Sequence, residues 1–226
     1  MLGVSGLIGA GRTEIMQSIF GYLPRDGGTL LIRGKEVSVH SPEQAISYGI
    51  GFITEDRKTE GLMLEKSIRE NVSLTNLGRI SDHSVIDKKK DMELARKAVQ
   101  ELTIRCSGPE ESCDSLSGGN QQKVIFSKWI FTEPKILILD EPTRGVDVGA
   151  KKEIYNIINT LAEKGVAVIM VSSELSEILG MSDRVMVIHE GHMAGILNNR
   201  PETAAAGEKM ASQENIMTLA TGGKLK

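Results

Sequence analysis

The stretch Gly6-Leu7-Ile8-Gly9-Ala10-Gly11-Arg12-Thr13 decides how this 226-residue chain reads. It follows a short apolar run, Leu2 to Ser5, and precedes a segment of helical period beginning near Glu14. Strand, glycine-rich turn and helix start in that order fit G-x-x-x-x-G-K-[ST] at every position but one. Glycine is needed because successive backbone N–H groups must converge on phosphate oxygens, and the start of the next helix adds a favourable dipole. Gly6, Gly9, Ala10, Gly11, Arg12, Thr13 and Glu14 are therefore candidate nucleotide-binding residues, with Thr13 able to hold a magnesium ion. Arg12 is the departure. Lysine ordinarily stands there to reach the β- and γ-phosphates, and a planar, bulkier guanidinium is not a conservative substitute, so binding is expected to survive better than catalysis. Taken alone, the stretch also fits a glycine-rich turn that binds nothing.

Working outward, Lys135-Ile136-Leu137-Ile138-Leu139-Asp140-Glu141-Pro142-Thr143 is an apolar strand ending in two acids. At the carboxyl edge of a parallel sheet Asp140 would lie beside the phosphate loop and hold magnesium through its water shell. Glu141 would then polarise the attacking water, the catalytic role. A strand followed by a solvated acidic turn has the same sequence, and the spacing from the phosphate loop favours the metal reading. Just upstream, Leu116-Ser117-Gly118-Gly119-Asn120-Gln121-Gln122-Lys123 opens a helix, with Ser117 as a natural cap and two glycines exposing backbone N–H groups. Such a helix start can bind an anion. A plain cap followed by flexible glycines is the alternative, and the position one helix before Asp140-Glu141 decides against it.

The remaining sequence gives an α/β fold with a mainly parallel sheet. Further core strands are expected at Ile50 to Ile53, Val166 to Val171 and Arg184 to Ile188, with a short helix at Glu174 to Gly180. Ile154, Ile157, Ile158 and Leu161 recur at helical spacing within Ala150 to Leu161, as do Met92, Ala95, Val99 and Leu102. Ser67 to Ser115 holds no convincing buried strand and reads as a helical insertion. The division is thus residues 1–66 and 116–200 as an ATPase core, 67–115 as a helical subdomain and 201–226 as a polar, alanine-rich tail. A formal net charge of −3 gives no basic footprint for nucleic acid. Cys106 and Cys113 match neither a zinc pattern nor a disulfide framework, so a reducing compartment is the simple expectation. The most apolar run, Val166 to Val171, is too short to cross a bilayer. His189-Glu-Gly-His192 lies in a strand-turn-strand pattern without the helical spacing of a zinc pair.

LSGGNQQK followed by ILILDEPTRGVD resembles the signature and second nucleotide motif of ATP-binding cassette (ABC) ATPases, a P-loop NTPase family. More narrowly, GLIGAGRTE, GFITEDRKTEGL, LSGGNQQK, DEPTRGVDVGAKKEIY and VSSELSEILGMSDRV together resemble the second ATPase domain of ribose, galactose and xylose importers. The resemblance implies ATP and Mg2+ as cofactors and ATP hydrolysis coupled to import of a monosaccharide. It implies, as partners, an N-terminal cassette in tandem, transmembrane permease subunits and a periplasmic sugar-binding protein, and a peripheral place on the cytoplasmic face of the bacterial inner membrane. Paired head to tail, such domains sandwich ATP, so Ser117, Gly118, Gly119, Asn120 and Gln121 would act in trans on the partner's nucleotide. The family's sensor loops fall at Glu55, Asp147 and Ser173. Glu55 stands where a glutamine is usual and Ser173 where a histidine is usual. With Arg12, these make the chain's own site degenerate. The family also has strands before the phosphate loop, one carrying an aromatic ring for adenine, which are missing here, so an unpaired sheet edge is expected. A nucleotide-dependent dimerisation or regulatory module without turnover is the alternative. A DNA-repair or translation ATPase would need a basic surface that the sequence lacks.

Overall fold

The computed structural model describes residues 1–205 and 208–225. In chain order its elements begin with β1 (Leu2–Gly6), α1 (Arg12–Ile19), β2 (Leu30–Ile32), β3 (Lys35–Val37), α2 (Pro42–Ser47) and β4 (Ile50–Ile53). There follow α3 (Ile68–Leu74), α4 (Leu77–Ile80), β5 (Ser81–Asp82), β6 (Val85–Ile86), α5 (Lys88–Glu101) and α6 (Gly118–Ile130). The last are β7 (Ile136–Asp140), α7 (Val148–Glu163), β8 (Ala167–Val171), α8 (Leu175–Met181), β9 (Arg184–His189), β10 (His192–Asn198) and α9 (Gln213–Ala220). They form two compact units, one of Met1–Phe52, Lys135–Glu141 and Lys164–Lys226, the other of Ile53–Pro134 and Pro142–Glu163.

The sheet unit is built on a six-stranded sheet of order β10-β9-β1-β8-β7-β4. β1 runs parallel to both β8 and β9, and β7 runs parallel to β8. Apolar runs without alternation suit such strands because both faces are covered, and Leu137, Ile138 and Leu139 are all fully buried. β9 and β10 pair antiparallel through Glu190 and Gly191, both at positive φ (47° and 76°), a turn whose twist matches the flanking strands. β8 and β9 pair with β1 on its two sides, and among the described residues the unpaired edges of the sheet are β10 and β4. β2 and β3 form a separate antiparallel hairpin. In the tail, α9 packs on β1 and β9, burying Ile216 and Ala220. Its cap is Ser212, whose hydroxyl accepts from Asn215 N–H at 3.1 Å. Residues 206, 207 and 226 of the expected tail lie outside the described residues.

The second unit is helical apart from the two-residue pair β5 and β6. Ser67 and Glu70 start α3 with reciprocal bonds, Glu70 N–H to Ser67 Oγ at 3.2 Å and Ser67 N–H to Glu70 Oε2 at 2.9 Å. Asp87 starts α5 by accepting from Lys89 and Lys90 N–H, so Lys88 to Lys90 are the exposed first turn of a capped helix. α3 packs on α5 and α6, and Ile68, Val72, Ala95, Ala98, Val124 and Phe126 are buried. Arg69 pairs with the buried Asp91 at 2.6 Å, which keeps that carboxylate compensated.

Truncating a buried side chain of β7 removes transfer energy and leaves a cavity. Leu139→Ala is expected to cost about 2–5 kcal/mol in denaturant unfolding. Leu31→Ala, on the exposed face of β2, should stay within about 0.5 kcal/mol.

Candidate functional site

In the sheet unit, β1 passes the chain to α1 through residues 7–11. Gly11 is the residue before the helix and sits at φ 95°, ψ 13°, a left-handed conformation that a side chain would strain. No side chain caps α1, so its first N–H groups remain available to an anion. The loop is tied internally by Ala10 N–H to Leu7 O at 3.1 Å, and the β9–β10 turn braces it through Gly191 N–H to Ala10 O at 2.8 Å.

Asp140 ends β7 and is 1% exposed. Among the described residues neither of its carboxylate oxygens makes a hydrogen bond of ordinary geometry, and the Thr13 hydroxyl lies beside it as a polar partner. Burial, the largest cause, pushes its pKa up to about 6; the Thr13 hydroxyl and Arg12 oppose the rise, and Glu141 and Glu14 add to it. A buried, unsatisfied carboxylate beside a threonine hydroxyl at a phosphate loop is a donor set suited to a hard divalent cation. Thr13 and Asp140 therefore fit magnesium.

Glu141 follows at φ 48°, its N–H bonded to Val171 O at 2.9 Å. Both of its oxygens are engaged. Arg12 Nη2 lies 3.6 Å from Glu141 Oε1, and Ser173 Oγ donates to Glu141 Oε2 at 3.1 Å. The other arm of the Arg12 guanidinium donates to Ser172 O at 2.9 Å. Arg12, Thr13, Asp140, Glu141 and Ser173 are thus gathered in one unit, with Glu14 exposed on the first turn of α1. Sequence reasoning placed these residues but missed the tether between Arg12 and Glu141.

The helical unit holds Ser117 to Gln121 at the head of α6, together with Glu55 and Asp147. The expectation that Ser117 caps α6 is corrected: its hydroxyl accepts no N–H of the helix. It accepts instead from Asn120 Nδ2 at 3.0 Å, while Asn120 Oδ1 accepts from Arg105 N–H at 3.0 Å. Gln121 is buried and donates to Cys113 O at 2.9 Å. Gly119 is a close approach, since a Cβ there would lie 2.6 Å from Ala150 Cβ on α7. Asp147 starts α7 by accepting from Ala150 N–H at 3.0 Å. A cavity of about 210 Å3 opens here, lined in part by Ser117, Gly119, Asn120, Lys123, Asp147 and Arg105. Lys123 is buried and committed, donating to Thr103 O at 2.9 Å and pairing with Glu153. Glu55 pairs with Arg144, and Arg57 donates to Arg144 O at 3.2 Å and Gly145 O at 3.0 Å. Among the described residues no helix is long and apolar enough to cross a membrane.

A glycine-rich turn heading α1, a buried acid ending a parallel strand and an uncapped glycine pair heading α6 define a P-loop NTPase of the cassette type. The model of the family described as ABC transporter matches residues 1–144. The chain belongs to that family. Similar curated proteins include the "Ribose import ATP-binding protein RbsA" of Bacillus licheniformis, 55% identical over 99% of this chain and 44% of that protein. The protein of the same name from Lactococcus lactis subsp. cremoris is 51% identical over the same shares. The chain thus spans less than half the length of the curated relatives it matches. Among solved structures, the ADP conformation of MJ1267, an ATP-binding cassette of an ABC transporter, has TM-score 0.75 and 22% identity, covering 96% of this chain and 82% of that one. A dimeric post-hydrolysis state of the cassette MJ0796 bound to ADP and Pi has TM-score 0.75 and 18% identity, covering 88% and 85%. Both share the fold.

The raised pKa of Asp140 makes stability depend on pH with a definite sign. Proton release from a group whose folded pKa exceeds its ordinary 3.8 costs the fold, so this group's contribution is lost as pH rises from about 4 to about 6. Asp140→Asn should stabilise the metal- and nucleotide-free protein by up to roughly 3 kcal/mol at pH 7.5 and by little at pH 4. Equal effects at the two pH values in denaturant unfolding would contradict the assignment.

Proposed function

We propose that the chain is the ATP-binding cassette of a monosaccharide importer and the second of two cassettes in one polypeptide. It binds ATP and Mg2+, and its main contribution to hydrolysis is made in trans, through Ser117, Gly118 and Gly119 closing on ATP held by the first cassette. Relatives named for ribose import, matched over nearly all of this chain, support the transport reading. The single observation that carries the division of labour is the contrast between the two helix starts. Both helices start without a side-chain cap, but Arg12 in the first turn of α1 is tied to Glu141, which Ser173 also holds, whereas the N–H groups of Gly118 and Gly119 face no such ion pair.

In that own site the N–H groups from Gly9 to Glu14 cradle phosphate, and Arg12 has to leave Glu141 to reach the β- and γ-phosphates. Thr13 and Asp140 would hold magnesium, which supplies charge neutralisation on the phosphates when bound. Glu141 orients and deprotonates the attacking water only when freed, so turnover there is slow. By the motifs they carry, residues 1–66 and 116–200 serve as the ATPase core, 67–115 as the helical subdomain and 201–226 as a tail, a division by function that differs from the packing units, in which Ile53–Pro134 goes with Pro142–Glu163. Glu55, Asp147 and Ser173 stand at the sensor loops, with Ser173 unable to act as the imidazole usual there, and the loop from Glu55 to Gly61 together with the helical insertion takes the permease contact. The subunit works peripherally on the cytoplasmic face of the inner membrane, with permease subunits and, indirectly, a periplasmic sugar-binding protein. The ion pair of Arg12 with Glu141 also favours a second reading, a module that binds ATP and dimerises without any turnover of its own.

The test is ATP turnover by this chain alone and paired with the first cassette. Pairing should give turnover that Ser117→Arg lowers about 100-fold or more and that Glu141→Gln changes less than about twofold. Turnover of about 1 per second or faster by the chain alone, stopped by Glu141→Gln, would overturn the division of labour. Pairing that gives no turnover beyond the first cassette's own would favour the second reading.

A further inference from the structure

The five residues heading α6 do not all face the same way. Gln121 is buried and spends its amide on Cys113 O. Asn120 is half-buried with both ends of its amide committed. A backbone N–H can only donate, so the bond from Arg105 fixes which end of Asn120 is oxygen and turns its NH2 toward Ser117. Ser117 Oγ, exposed at the helix start, must therefore accept from Asn120. A hydroxyl has one proton to give. Since its oxygen is the acceptor here, that proton is left to donate outward, beside the uncapped N–H groups of Gly118 and Gly119.

A serine before a helix ordinarily accepts from an N–H of the first turn. Here the Asn120 amide takes that place. A phosphate oxygen only accepts hydrogen bonds, so a hydroxyl poised to donate attracts it, and one whose proton pointed inward would meet it with lone pairs. We propose that Asn120 is a positioning residue that sets Ser117 as a hydrogen-bond donor to a phosphate oxygen of the partner's ATP. This rests on the reading that the head of α6 acts in trans.

Asn120→Asp separates orientation from folding. One carboxylate oxygen still accepts from Arg105 N–H, and the other replaces the NH2 and accepts from Ser117, drawing its proton inward. In the chain paired with the first cassette, this variant should lower kcat tenfold or more with a smaller change in KM, and leave Tm nearly unchanged. Ser117→Ala should lower kcat by a similar factor, and Ser117→Ala/Asn120→Asp should be no worse than Ser117→Ala alone. Asn120→Asp costing as much in the Ser117→Ala background as in the wild type would mean that the added charge repels phosphate directly, and would overturn the proposal. So would unchanged turnover in Asn120→Asp. A Ser117→Ala variant with full turnover would also overturn this proposal, while the trans reading itself stands or falls on Ser117→Arg, since alanine keeps the backbone N–H groups of the helix start.

Discussion

A carboxylate buried with its oxygens poorly satisfied is costly, and Asp140, 1% exposed with the Thr13 hydroxyl beside it, is such a group. The fold supports it with apolar burial around it: Leu137, Ile138 and Leu139 on its own strand, and Met170 and Val171 on the neighbouring β8, are all fully buried. That burial is also what raises its pKa. The strand cannot be made more polar near its end without losing the core. The acid cannot be moved outward without losing its place beside Thr13. Packing and ligand chemistry thus set the same requirement, an apolar parallel strand that ends abruptly in an acid, and the sheet unit keeps an unsatisfied site as a consequence.

The treatment of helix starts follows a similar division. Ser41, Ser67, Asp87 and Ser212 each accept from a first-turn N–H of α2, α3, α5 or α9. Such caps are worth about 1 kcal/mol each. α1 and α6 lack them, although Ser117 is a residue type that could supply one. The short helices α4 and α8 also lack side-chain caps, so the absence alone does not mark a site. What distinguishes α1 and α6 is, at α1, the left-handed Gly11 directly before the helix and, at α6, a neighbouring amide that occupies the serine.

Much of this was legible in the sequence. β7 and β8 were readable because a strand buried on both faces needs an unbroken apolar run, and α5 and α7 because their buried positions recur at helical spacing. The β2–β3 hairpin and α9 were not: three-residue strands and an eight-residue helix are too short for a period to stand out, and only Ser212 with its Asn215 partner marked the start of α9. In the site, residue identities and chain order placed Arg12, Thr13, Asp140 and Glu141 at one edge of a parallel sheet. Side-chain direction was beyond that reasoning. Whether Ser117 caps a helix or serves an amide depends on Arg105, fifteen positions before Asn120, and nothing in the local pattern records that bond.

Arg12 shows how one substitution changes a site without removing it. Lysine carries a compact charge that can reach one acceptor cluster at a time, whereas the guanidinium is a rigid fork with donors on separate arms. In this chain the fork spans Ser172 O and Glu141, binding the loop after β8 to the acid that follows β7. The contact is buried, so solvent screens it little, and Ser173 adds a second hold on the same carboxylate. A phosphate group entering the loop would compete with Glu141 for Arg12. Its gain is then reduced by the cost of leaving a buried carboxylate with one partner fewer. The head of α6 carries no such competing ion pair at Ser117, Gly118 or Gly119. The two helix starts therefore differ in what a phosphate must displace: an ion pair at α1, and no side chain of the motif at α6.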